Sequence, residues 1–167
     1  IAQSGNGTDR TGPVEVEGHG TYPGPESFWN VLLDFEVRYR YANGVQLTYR
    51  IDKPSIRFEG TEGWIFADDT GKIEASKPSI LEKPSGANWV TLPRKTDKQD
   101  FIDAVKSRGQ TMADAEVGHR TTSLCHLGHI AIHTGRRLEW DPVKERFTND
   151  KAANDYIAKP ILAPRKG

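Results

Sequence analysis

Residues 31–51 read VLLDFEVRYRYANGVQLTYRI, and their alternation decides the fold class. Leu33, Phe35, Val37, Tyr39 and Tyr41 share one face; Asp34, Glu36, Arg38 and Arg40 share the other. Period two marks a half-buried strand, because successive side chains point to opposite sides of a sheet. Ala42-Asn43-Gly44 breaks the run, and residues 45–51 resume it. Asn-Gly between two such runs predicts a hairpin, since both residues tolerate positive φ. The acids and arginines of the polar face read as a solvated ladder of opposite charges.

Working outward, residues 14–18 form another alternating strand. Residues 55–59, 63–67 and 72–75 are three more, joined by turns at 60–63 and 68–71, which makes an antiparallel meander. Residues 88–92 are a further strand. The period changes at Thr96. Thr96-Asp97-Lys98-Gln99 has the form of a capping box, and Phe101, Ile102 and Val105 follow at helical spacing until Gly109 ends the helix. A longer helix spans 114–134 and closes at Gly135. A strand at 137–140 stops at Asp141-Pro142, and 145–147 pairs nearby. A short helix covers 151–158, and 160–167 is a loose tail. Strands first and helices afterwards predict an α+β domain: a large open, mostly antiparallel sheet with helices packed on one face. The other face is then solvated or paired with another subunit.

The 167 residues suit a single domain, which at this size buries roughly 70% of the unfolded chain's surface. Lys plus Arg and Asp plus Glu number 23 each, so there is no basic excess to attract nucleic acid or an acidic membrane. No apolar run reaches the length of a membrane span, and no signal peptide opens the chain. Ile1-Ala2-Gln3 reads as the end of a helix already under way, so the start is taken as a cut and localisation is not legible. The single cysteine, Cys125, excludes an internal disulfide and reads as a small buried apolar residue. Residues 4–13 are a polar, glycine-rich loop without the G-x-G-x-x-G pattern.

Residues 116–142, EVGHRTTSLCHLGHIAIHTGRRLEWDP, carry four of the five histidines. At about 100° per residue, Val117, Thr121, Leu124, Gly128 and Ala131 form one stripe, flanked by Cys125 and Ile132. This stripe faces the sheet. Gly128 in mid-helix costs about 1 kcal/mol against alanine, and its place in the stripe predicts a close approach of helix to sheet. His119, His126 and His133 lie nearly opposite, with His129 one step round. Three readings stand: a polar face, a face covered by a partner domain, and a metal site. His126, His129 and His133 have spacings that metal sites use. The H-E-x-x-H pattern is absent, however, with apolar residues where the acid belongs. The preferred readings are the first two, with no metal.

No glycosidase pair or G-x-S-x-G elbow is present. In Tyr22-Pro23-Gly24-Pro25-Glu26-Ser27-Phe28-Trp29-Asn30 the aromatics suit stacking on a sugar, but burial of Phe28 and Trp29 as loop anchors is the preferred expectation.

Seven pieces in order, TGPVEVEG (11–18), YANG (41–44), RFEGTEGWIF (57–66), DFIDAVKSR (100–108), EVGHR (116–120), CHLGHI (125–130) and GRRLEWDP (135–142), resemble the C-terminal domain of Gfo/Idh/MocA-type oxidoreductases. This is the family of glucose–fructose oxidoreductase and inositol dehydrogenase, and the likeness is to a branch common in planctomycetes. The resemblance implies an N-terminal Rossmann domain binding NAD or NADP, and a C-terminal domain that helps form a sugar or polyol pocket. It also implies dimers or tetramers through the exposed sheet face. Residues 1–167 are then one C-terminal substrate and oligomerisation domain, inactive alone and without the Rossmann domain. Only Ile1-Ala2-Gln3 remains of the family's H-x-x-D-I-A-Q-W segment, so no catalytic residue is assigned. His119, Arg120 and His126 would face the pocket or the missing domain, with Tyr22, Trp29 and Asn30 at the rim. The rival from another class is a stand-alone β-rich carbohydrate-binding or scaffolding module. Substrate identity, NAD against NADP, and whether the parent is still a dehydrogenase are not legible.

Overall fold

The computed structural model describes residues 1–82 and 95–157. In chain order its elements are α1 (Ala2–Gly5), β1 (Glu15–Thr21), β2 (Asp34–Arg40), β3 (Gln46–Arg50), β4 (Ser55–Gly60), β5 (Gly63–Asp68), β6 (Ile73–Ala75), α2 (Asp97–Ser107), α3 (Ala115–Thr134), β7 (Leu138–Asp141), β8 (Arg146–Phe147) and α4 (Lys151–Asn154). A single 3-10 turn, Pro78–Ile80, follows β6. The chain divides into two units, Ile1–Ile51 with Ala115–Gly167, and Asp52–Asp114. The α+β class with open antiparallel sheets is as the sequence indicates; the strands are shared between two sheets. The strand expected at 88–92 and the tail at 160–167 lie outside the described residues.

The first unit holds a five-stranded sheet in the order β3-β2-β1-β7-β8. The ladder places Glu15 opposite Arg40, Glu17 opposite Arg38 and His19 opposite Glu36, so the charges of the outer face alternate in sign across strands. Glu15 bonds Arg40 at 3.0 Å and also Arg137. The guanidiniums of Arg137 and Arg40 hold its carboxyl below the ordinary carboxylate range. The inner face carries Val16, Val37, Tyr39 and Leu138, all buried. The hairpin after β2 is as expected, with one difference. Gly44 alone takes positive φ, donating its N–H to the Tyr41 carbonyl at 3.0 Å, so a three-residue turn with a bulge joins the strands.

Helix α3 packs on β1 and β2. A Cβ on Gly128 would sit 2.5 Å from the Tyr39 hydroxyl and 3.1 Å from Val37 Cγ2, which is the close approach expected. That hydroxyl donates to the Leu124 carbonyl at 2.7 Å, so the glycine lets a tyrosine reach the helix backbone. Burial raises the pKa of Tyr39, and it pushes Tyr41, which donates to Gln3 Oε1, up to about 12. Gly135, at φ +63°, ends the helix.

Two expectations for this helix are corrected. Cys125 is exposed, not buried, and Thr121 is also exposed. The reason is that Leu127 and Ile130 are buried as well as Gly128 and Ala131. A second wall, built from β7, β8 and the residues after α4, widens the buried arc on the side away from Cys125. That wall is internally tied. Trp140 and Phe147 meet edge to face at 5.0 Å. Asn154 accepts from the Phe147 amide at 2.8 Å and donates to its carbonyl at 3.0 Å. Asp150 caps α4 by accepting from Ala153 N at 3.0 Å.

The second unit holds the sheet β4-β5-β6 and α2. Its strand bounds follow the meander read from sequence. Arg57 lies 4.3 Å over the Trp64 ring. Asp68 Oδ1 accepts from the Thr70 hydroxyl and from the Thr70 and Lys72 amides, which ties the β5–β6 turn and lowers the Asp68 pKa. Thr96 caps α2 through Gln99 N at 3.2 Å, but the Gln99 side chain turns to Asp103 and does not complete the box. The residue with positive φ at the end of α2 is Arg108, not Gly109. None of the described residues of this unit is buried.

Candidate functional site

The face of α3 that the sequence marked with histidines borders a groove of about 990 Å³, wholly within the first unit. His119, His126, His129 and His133 lie along one side. Leu127 and Ile130 give it an apolar floor, and Trp140, Glu145, Asp155 and Tyr156 stand on the second wall.

Three of the four imidazoles are held. His119 Nε2 is 2.6 Å from Glu145 Oε1. An ionised carboxylate only accepts, so Nε2 carries the proton and Nδ1 is left as the free ring nitrogen among the described contacts. Glu145 has φ +51°, a left-handed conformation unusual for a residue with a side chain. Arg120 steadies it there. Its Nη1 is 2.9 Å from the same carboxylate oxygen and donates to the Pro142 carbonyl at 2.8 Å, while its Nε bonds Glu116 at 2.7 Å. The preceding turn is fixed by Asp141, whose carboxylate accepts from the Lys144 and Val143 amides; those bonds hold its pKa below the ordinary range. At the other end of the helix His133 meets the Tyr156 ring edge to face, with centroids 4.9 Å apart. His129 Nε2 lies 3.3 Å from the Tyr22 hydroxyl. His126 is exposed and has no hydrogen-bond partner among the described residues.

The residues marked from sequence therefore separate. His119 and His126 line the groove. Arg120 lies behind it, mostly covered, and works through Glu145. Tyr22 reaches the site through His129. Trp29 and Asn30 do not line the groove. Phe28 is 98% exposed and Trp29 62%, their rings in edge contact at 6.4 Å, so the expected burial of both as loop anchors is corrected. Lining residues not marked from the sequence include His129, His133, Trp140, Glu145 and Tyr156. The first two share the helix and its spacing and were within reach of a sequence argument. The other three arrive from the second wall.

A smaller recess of about 290 Å³ on the outer sheet face is lined by charges, including His19, Arg38, Arg136 and Arg137. Its arginines are each committed to a carboxylate: Arg38 to Glu36, Arg136 to Asp150 and Arg137 to Glu15. Among the described residues no three His, Cys, Asp or Glu side chains are grouped so as to hold a metal ion. No helix of the described residues is long and apolar enough to cross a membrane.

The chain matches the family model described as "Oxidoreductase family, C-terminal alpha/beta domain" over residues 3–166, and so belongs to the Gfo/Idh/MocA oxidoreductases as their C-terminal domain. In fold it is similar to an aldose-aldose oxidoreductase from Caulobacter crescentus, solved with glycerol, at a TM-score of 0.61 and 12% identity. The match covers 83% of this chain and 44% of that one, so the chain spans less than half of that protein's length. No curated protein sequence matches the chain.

Proposed function

We propose that this chain is the substrate-binding and oligomerisation domain of an NAD(P)-dependent sugar or polyol oxidoreductase, inactive by itself. It works with an N-terminal Rossmann domain of the same polypeptide. The observation that carries the reading is the α3 groove, in a chain that belongs to this family. Imidazoles, hydroxyls and carboxylates set around an apolar floor suit a ligand whose hydroxyls both donate and accept and whose ring faces are apolar.

A dinucleotide does not fit the residues of this chain. The described strands pair antiparallel throughout, and the sequence has no G-x-G-x-x-G, so the described residues form no βαβ turn to cradle a pyrophosphate. Cofactor binding and hydride transfer thus fall to the other domain, and this chain orients the substrate. His126 is the imidazole free to bond it. His119, its Nε2 fixed by Glu145, offers Nδ1 to the ligand. Oligomerisation is assigned to the outer sheet face, where Arg38, Arg40 and Arg137 stand exposed beside paired acids.

The test is an assay of the parent polypeptide containing both domains, with NAD and NADP and a panel of aldoses and polyols. The expected result is cofactor reduction by the two-domain protein and none by this chain. His126→Ala should raise KM about tenfold or more, the loss of one hydrogen bond to substrate. A parent without a Rossmann domain, or one inert toward every sugar and polyol, overturns the proposal. Sugar binding by this chain in a protein with no dehydrogenase half would favour a stand-alone carbohydrate module instead.

A further inference from the structure

We infer that the α3 groove takes a chain of about three to four sugar units and not a single one; this rests on its reading as a sugar site. The argument is dimensional. The second wall touches the helix at two places: Glu145 on His119, and Tyr156 on His133. Fourteen residues separate those two histidines, which at 1.5 Å per residue is roughly 21 Å of helix. A pyranose ring is about as wide as one helical turn, ~5 Å, so the interval between the contacts holds about four. The volume agrees, since 990 Å³ stands at the top of the ~300–1,000 Å³ range of small-molecule sites.

The lining continues over this length. His126 stands midway between the end contacts, seven residues from each, with Ser123 one turn away toward His119 and His129 one turn away toward His133. The floor of Leu127 and Ile130 runs beneath them. A peptide strand is a poorer fit, because the amide and carbonyl of Phe147, on the edge strand β8 of the second wall, are already taken by the Asn154 side chain. A nucleic acid is poorer still, with Glu145 and Asp155 on the wall and no excess of basic residues.

Glucose, xylose and mannose, and the β-1,4-linked oligomers of each from two to six units, would be titrated into this chain. The readouts are calorimetry and the NMR signals of the α3 imidazoles. Affinity should rise at least tenfold between one and four units and then level off. Glu145→Gln and Tyr156→Ala, at opposite ends, should both weaken the four-unit ligand, whereas a monosaccharide should respond to at most one of them. Equal affinity for one and four units overturns the inference and leaves the oxidoreductase reading standing. Failure of every sugar to move the α3 imidazoles overturns the groove assignment, while cofactor reduction by the two-domain parent still decides the oxidoreductase reading separately.

Discussion

The two units are built from equally regular sequence and end with different interiors. Among the described residues, every buried hydrophobic one, from Val16 to Ala153, lies in the unit of Ile1–Ile51 and Ala115–Gly167. The Asp52–Asp114 unit has clean strand alternation, a capped helix and a cation–π pair, yet none of its described residues is buried. Phe101, Ile102 and Val105 are spaced to cover something, and Phe101 is 63% exposed. Periodicity thus identifies which residues can be buried together. It does not supply the second layer that buries them. In the first unit that layer is α3 on the sheet, admitted by Gly128, with β7, β8 and the residues after α4 on its flank.

The largest expected effect follows directly. Leu138→Ala removes a fully buried side chain and should cost about 2–5 kcal/mol, whereas Phe101→Ala should stay within about 0.5 kcal/mol. Urea unfolding of both variants checks this, and similar losses would show that the two units share one interior. Gly128→Ala comes next. The gain in helix propensity is outweighed by the displaced Tyr39 hydroxyl and Val37, and a net loss of about 1–3 kcal/mol is expected in the same measurement. An unchanged or raised stability would mean that the helix can lift from the sheet at no cost.

The smallest effect belongs to the outer face. Glu15→Gln should lose about 1 kcal/mol or less, since Arg40 and Arg137 are well exposed. Its pH dependence has a definite sign. The folded pKa of Glu15 is lowered by Arg137 and Arg40, so its contribution is fully present above the ordinary carboxylate pKa. It disappears as pH falls through the lowered value. The Tm difference between wild type and Glu15→Gln should therefore be seen at pH 7 and shrink as the solution is acidified below the ordinary carboxylate range. A difference that grows on acidification would contradict the assignment.

Much of this architecture was legible in the chain. The hairpin at Gly44, the meander between Ser55 and Ala75, and α3 with its close approach at Gly128 all follow from side-chain period, turn chemistry and a glycine out of place in a helix. The differences in burial share one physical cause. Helical period with a single covering surface puts Cys125 inside, and α3 has two covering surfaces. Large aromatics are usually inside, but no described residue of the first unit covers Phe28 or Trp29.

The candidate site divides along the same line. Sequence alone put four imidazoles on one side of one helix, because a 3.6-residue period is local and travels with the chain. Only tertiary structure decided that they border a groove. Trp140, Glu145 and Tyr156 reach it from a hairpin and a helix end, through the Asn154–Phe147 bonds and the Arg120 clamp, and contacts between such distant segments leave no period in the sequence to read.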